Sequence, residues 1–167
     1  IQTHSNYMKI VLQNEIPSNS SNSTEIANTI LSRIGLLPRK SGSTKNMNKV
    51  LLELYERSKL SNKMQQPHIA LMSVEEMAIH AGITRQTFYE YLVRWIELNF
   101  IVKQNYVIVK NNTKKILNGY RLNGSNILNA FEKVKTTINE NLNQTLNLTK
   151  KLQNEIKREK LIKHKHQ

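Results

Sequence analysis

The chain has 167 residues, enough for about one globular domain with an appendage. It carries 25 Lys and Arg against 12 acids, all Glu, for a formal net charge of +13, and it has no cysteine, which excludes disulfides, thiolate zinc sites and thiol nucleophiles. No apolar run approaches the roughly 18 residues of a membrane span and no N-terminal stretch has signal-peptide form, so we expect a cytoplasmic protein without membrane contact.

The first 43 residues, 1–43, are predicted to form an N-terminal arm with a short amphipathic helix. Apolar residues recur at helical spacing from Ile26 to Ile34, and Gly35 ends the pattern. We expect this stripe to cover either the globular domain or a twin subunit. A second helix is predicted from about residue 45 to 59, followed by a loop over 61–67. Lys45 at its start is a candidate phosphate contact.

Residues 74–93, VEEMAIHAGITRQTFYEYLV, fit a helix-turn-helix. Ala78 is small where two crossing helices touch, and Gly82 lies in the turn. Ser73 and Glu76 form an S-x-x-E capping box for the first helix, and Thr84 can cap the second. The second helix is expected to continue to about residue 98. Inward-pointing apolar residues complete the pattern: Met77, Ala81, Ile83, Phe88 and Tyr91.

The start of this second motif helix carries side chains that suit base recognition. Arg85 can donate two hydrogen bonds to guanine, and Gln86 can pair with adenine. Tyr89 could stack on a sugar or touch a thymine methyl group. Glu90 either accepts a hydrogen bond from cytosine or holds Arg94 one turn later. Two threonines at the helix N-terminus could donate to phosphate, so the candidate DNA contacts are Thr84, Arg85, Gln86, Thr87, Tyr89, Glu90 and Arg94.

A basic hairpin is predicted directly after this helix. β-branched residues dominate from Phe100 to Val109, and a second short strand, Gly119 to Leu122, follows the polar loop from Lys110 to Lys115. Residues 100–124 hold five bases and no acid, a net of +5, whereas 44–99 hold seven bases and six acids, a net of +1. This wing would contact phosphates or the minor groove through Lys103, Lys110, Lys114, Lys115 and Arg121.

A long C-terminal helix is predicted from Ser125 to about Lys163, because the sequence there contains neither Gly nor Pro. It would span roughly 58 Å. Its narrow apolar stripe, interrupted by Asn and Thr, favours pairing with a second copy; folding back on its own domain is the alternative. A basic tail ends it, with seven bases and two acids over 150–167. The predicted oligomerisation residues are Ile127, Phe131, Val134, Ile138, Leu142, Leu148, Leu152 and Ile156.

Nothing in the sequence favours catalysis. No histidine has a partner at the spacing of a zinc site, and there is no Asp or Cys to join one. A glycine-rich phosphate loop is also absent, since the five glycines are dispersed. His164 and His166 could chelate a metal only weakly. We therefore expect no enzyme activity, no metal and no cofactor.

The stretch from about Lys49 to Leu122 resembles the winged helix-turn-helix domains of bacterial and archaeal transcription regulators. With its long final helix the chain is also similar to small archaeal regulators such as the archaellum-operon regulators of methanogens. That resemblance implies a promoter-binding activator near the basal promoter elements, with basal transcription factors as further partners. The expected fold is mainly α with a small β-wing, with a winged helix-turn-helix domain over 44–123 and a C-terminal oligomerisation helix over 124–167.

Three functions agree with this organisation. The first is a sequence-specific, homo-oligomeric regulator of transcription that binds double-stranded DNA and is therefore associated with the nucleoid. The second is a plasmid or viral replication or partition protein that uses the same domain on repeated sites. The third is an architectural or scaffolding module whose winged domain binds protein.

Overall fold

A computed structural model describes residues 8–17, 19–37 and 46–166. Lys45, one predicted phosphate contact, lies outside the described residues. The chain divides into two compact units, one ending at Phe131 and one beginning at Glu132. The elements in chain order are α1 (Ser23–Arg33), α2 (Met47–Met64), a 3₁₀ turn (Pro67–Ala70), α3 (Val74–Ala81), α4 (Arg85–Glu97), β1 (Ile101–Lys110), β2 (Thr113–Leu122) and α5 (Ile127–Lys165).

The N-terminal segment and α1 belong to the same unit as α2, α3 and α4. The side chain of Asn22 caps α1 by accepting a hydrogen bond from the Thr24 backbone N–H at 2.8 Å. Gly35 adopts a φ of 73° just after the helix, as its predicted role as a helix stop requires. The backbone N–H of Lys9 donates to the carbonyl of Glu97 at 3.2 Å. Since Leu31 is fully buried in this single chain, the stripe of α1 covers its own globular unit.

Helix α2 is longer than its sequence pattern indicates. It continues to Met64, so the predicted loop over 61–67 is wrong in its first four residues. Their polar composition is typical of a loop, but Ser61 is buried and its hydroxyl donates to the carbonyl of Gln66 at 2.9 Å. The helix ends at Gln65, which has a φ of 52°. Here a tertiary environment overrides a weak local propensity.

Helices α3 and α4 are capped as predicted. The hydroxyl of Ser73 accepts from the Glu76 backbone N–H at 3.1 Å, and that of Thr84 accepts from the Thr87 N–H at 3.2 Å. Gly82 ends α3 with a φ of 71°, a conformation that favours glycine. The predicted inward residues lie in the core to different degrees: Met77, Ala81 and Phe88 are buried, and Ile83 and Tyr91 are half-buried.

The hairpin differs from its prediction. Strands β1 and β2 each have ten residues and pair in register from Ile101↔Leu122 to Lys110↔Thr113. The connection is therefore the two residues Asn111 and Asn112, with φ of 52° and 61°. Asparagine tolerates the left-handed conformation that such a tight turn requires. The predicted loop over 110–115 is thus wrong, because its lysines lie in the strands.

A contact that the sequence did not suggest anchors the base of the hairpin. Met72 and Tyr120 exchange two backbone hydrogen bonds of 2.8 Å, so residue 72 adds a short bridge to the edge of β2. Gly119 permits this approach, since a Cβ atom there would lie 2.9 Å from the Met72 carbonyl oxygen. The bridge ties the segment before α3 to the hairpin that follows α4.

Helix α5 extends over 39 residues, about 58 Å, as predicted. The expectation of a mainly helical chain with a small two-stranded sheet and a long C-terminal helix is confirmed. Within the part of the chain that the structure describes, no helix combines the length and apolarity that crossing a membrane would require.

Candidate nucleic-acid interface

The buried face of α4 determines which of its side chains face outward. Phe88, Leu92 and Trp95 are almost completely buried, and their spacing of three and four residues places them along one side of the helix. The other side, at the capped N-terminus, exposes four predicted DNA contacts together: Arg85, Gln86, Tyr89 and Glu90. These side chains are available to a partner that approaches α4 from solvent.

Arg85 is held in place by two neighbours on this surface. Its guanidinium lies 2.8 Å from Glu75 Oε1, donates to the Tyr89 hydroxyl at 3.3 Å and lies 5.6 Å from the centre of the Tyr89 ring. The hydrogen bond to Tyr89 and the charge of Glu75 raise the pKa of Arg85. Sequence reasoning missed Glu75, because a contact across the turn between two helices follows no helical period. The pair is largely exposed, so it is weak enough to be exchanged for another anion.

The two threonines at the start of α4 have different surroundings. The Thr84 hydroxyl accepts from the Thr87 backbone and donates to the Thr87 hydroxyl at 2.9 Å, so it serves the helix cap. The Thr87 hydroxyl accepts this bond and keeps its own hydrogen for another acceptor. Of the two predicted phosphate contacts, the structure therefore leaves Thr87 with a hydrogen to donate.

Arg94 lies apart from this cluster. It is nine residues beyond Arg85, about 14 Å along α4, and its guanidinium lies 5.7 Å from the centre of the Tyr91 ring. No ion pair between described residues joins it to Glu90. With Lys9 and other residues it lines a cavity of about 150 Å³ next to the N-terminal segment. Arg94 therefore lies apart from Arg85, although Glu90 is one turn before it on the same helix.

The predicted cations of the hairpin divide into two groups. Lys103, Lys110, Lys114 and Lys115 are exposed, and the last three lie within three residues of the turn. Arg121 is half-buried; it donates to the Gln104 side chain at 2.5 Å and to the Leu122 carbonyl at 2.8 Å. Arg121 thus holds the two strands together, whereas the four lysines remain accessible.

A polar network that sequence reasoning missed orients α3 against α2. Arg57 donates to the Leu71 carbonyl at 2.8 Å, contacts Glu53 at 3.1 Å and forms an ion pair with Glu76. His80 donates from Nδ1 to the Glu76 carbonyl at 2.8 Å. Within α2, the spacing of Glu53 and Arg57 by four residues was a local sequence signal for part of this network. Such a bonded network holds α3 rigidly against α2.

The apolar stripe of α5 is exposed in its C-terminal part. Leu142 and Leu152 are 58% and 60% exposed, whereas Val134 is buried within the single chain. Thr145 and Thr149 interrupt the apolar stripe, and their hydroxyls donate to backbone carbonyls of the same helix at 2.9 and 2.6 Å. Both hydroxyls therefore have a hydrogen-bond partner within α5. The predicted oligomerisation residues accessible to a partner are Leu142, Leu148, Leu152 and Ile156, with Ile127, Phe131 and Ile138 half-buried.

Among the described residues no group of three or more His or Glu side chains is placed to hold a metal ion. His164 and His166 lie in the exposed last turn of α5 and beyond it.

Comparison of the chain with protein-family models, with curated proteins and with solved structures found no match.

Proposed function

We propose that this protein is a sequence-specific DNA-binding regulator of transcription that works as a homo-oligomer. In this proposal α3 and α4 form a helix-turn-helix and the β1–β2 hairpin forms its wing, like those of the archaeal and bacterial regulators that the sequence resembles. The observation that carries the proposal is the exposed group Arg85, Gln86, Tyr89 and Glu90 at the capped start of α4. It is followed by a hairpin with five bases and no acid over residues 100–124.

Helix α4 would enter the major groove with its N-terminal turns. Arg85 is the guanine reader and Gln86 the adenine reader. In the unbound protein Glu75 holds the Arg85 guanidinium at 2.8 Å; on DNA, guanine O6 and N7 would replace this carboxylate.

The hairpin lysines would supply affinity by neutralising phosphates, which makes binding dependent on salt. Replacing Lys114 and Lys115 by Gln is expected to reduce the slope of log affinity against log salt concentration by about 2. The matched control replaces Lys59 and Lys63, two exposed lysines of α2, and should leave the slope unchanged. Fluorescence anisotropy with a labelled duplex at several salt concentrations measures both. Equal slopes for both variants would remove the wing from the proposed interface.

The exposed stripe of α5 would pair with a second copy of the chain. Leu142→Glu together with Leu152→Glu is expected to reduce the mass measured by light scattering to that of one chain, because each places a charge in an apolar seam. Leu161→Glu is the control. Leu161 is 65% exposed and lies two and a half turns from Leu152, on about the opposite side of the helix. If the double variant keeps the wild-type mass, the stripe is not the oligomer interface.

A scaffolding module that binds protein is a second candidate, favoured by the charge of α4 itself. This helix holds two Arg and two Glu and is therefore neutral. Selection of bound sequences from random duplex DNA separates the candidates: enrichment of a motif supports the regulator, and no enrichment supports the scaffold. Mapping an enriched motif onto the genome of origin then distinguishes promoters from the repeated sites of a replication or partition protein.

A further inference from the structure

The distal half of the β1–β2 hairpin exposes an apolar face. Val107 and Ile116 are paired directly across the strands, and Val109 follows two residues later on the same face. Their side chains are 63%, 63% and 66% exposed. Single exposed hydrophobic residues are ordinary, but a contiguous group of three indicates a surface that meets a partner.

One lysine adjoins this apolar group near the turn, and a second lies beyond the exposed Asn105↔Asn118 pair. Lys114 pairs with Val109 near the turn, and Lys103 lies on the same face toward the base of the hairpin. Lys110 and Lys115 are exposed on the opposite face. Because residues 100–124 contain no acid, two such hairpins repel each other. The complementary partner is a surface with apolar walls between rows of negative charge.

The minor groove of duplex DNA has this chemistry, since apolar deoxyribose walls separate its two rows of phosphates. The hairpin is also long enough to enter it. Seven residues of β2, 113–119, lie beyond the Met72↔Tyr120 bridge and extend about 24 Å, whereas the groove is about 7.5 Å deep. It is only about 6 Å wide, so a two-stranded ribbon must open it. Apolar side chains that do so unstack base steps and bend the duplex toward the major groove.

We propose that Val107, Val109 and Ile116 form a wedge that enters the minor groove and bends DNA, while the lysines of the same face hold the adjacent phosphates. The inference rests on the proposed function, because it requires that the chain bind duplex DNA. A bend toward the major groove would wrap the duplex around α4 and increase its contacts there. The wedge thereby assigns a role to side chains that neither read a base nor carry charge.

The test uses the full chain and a duplex of about 30 base pairs with a central TA-rich segment, whose steps unstack readily. Fluorescence energy transfer between dyes at its two ends reports the bend. Wild-type protein is expected to bend the duplex by about 20–90°. Val107→Thr with Ile116→Thr keeps β-branched residues that suit a strand but adds hydroxyls. This variant should lose the bend and bind about tenfold more weakly.

Ile16→Thr is the matched control, since Ile16 is 86% exposed and lies outside the hairpin; it should bend DNA as the wild type does. Binding of the wild type without a bend, or a wild-type bend in the double variant, overturns the wedge and leaves the DNA-binding proposal intact. If the double variant bends DNA normally but light scattering shows a smaller mass, the patch is a protein contact and the wedge is overturned. A wild type that binds no duplex overturns both proposals.

Discussion

Replacing Arg85 and Gln86 together by alanine is expected to lower the preference for a selected DNA site over random duplex by about 100-fold or more. Both side chains are exposed at the capped N-terminus of α4, where they would reach base edges. Weak, salt-dependent binding should persist, because the lysines of the hairpin are untouched. Competition binding with the selected site and with random DNA measures the ratio of the two affinities.

The control for this experiment is Lys63→Ala with Gln66→Ala. It removes the same kinds of group, a cation and an amide, from exposed positions at the end of α2 and just after it. It should retain the wild-type ratio. A double Arg85 and Gln86 variant that selects the same site as the wild type would show that these residues do not read the sequence. Loss of binding to every duplex would instead indicate that they supply affinity.

Replacing Trp95 by alanine is expected to cost about 3–5 kcal/mol of the free energy of unfolding. The indole is 1% exposed, its ring centre lies 6.1 Å from that of Phe100, and its N–H donates to the Leu36 carbonyl at 3.3 Å. The substitution thus creates a cavity under α4 and removes its bond to the segment after α1. Trp95→Phe should cost less, because it keeps most of the packing and loses mainly the hydrogen bond.

Urea denaturation followed by circular dichroism measures these costs, since Trp95 is the single tryptophan and fluorescence is lost with it. Val93→Ala, at a position of the same helix that is 49% exposed, should change stability by no more than about 0.5 kcal/mol. Equal stability of the alanine and phenylalanine variants would contradict the importance of ring packing. Such a result would instead assign the cost to the hydrogen bond with the Leu36 carbonyl, which both variants lose.

Burial raises the pKa of the Tyr120 hydroxyl, and the neighbouring Tyr89 adds to the shift. Tyr120 therefore stays neutral throughout the pH range in which DNA binding would be measured. It belongs to β2 at the bridge with Met72, so a neutral, mostly buried side chain lies where the hairpin joins the segment before α3. Lys103, a predicted phosphate contact, is the cross-strand partner of Tyr120.

Local chemistry was sufficient to predict several features from the sequence. The caps at Ser73 and Thr84, the stop at Gly82 and the unbroken helix after Ser125 were all predicted, because each depends on residues within one or two turns of each other. The exposure of Arg85, Gln86 and Tyr89 also followed from the helical period. These local interactions do not depend on contacts with residues that are distant in the sequence.

The tertiary structure determined which residues of different helices and strands contact each other. The length of β2 depends on pairing with β1, so the polar residues before Gly119 joined a strand. The Arg121 guanidinium donates a hydrogen bond to Gln104 of the other strand, and Arg85 forms an ion pair with Glu75 from a separate helix. Val107 was predicted to lie in a strand because of its residue type, whereas Ile116 fell outside both predicted strands and joins β2 only through its pairing with Val107. That both side chains are exposed also appears only in the folded chain. A sequence pattern reports periodicity along one element, whereas these contacts join residues from different elements, which only folding brings within reach.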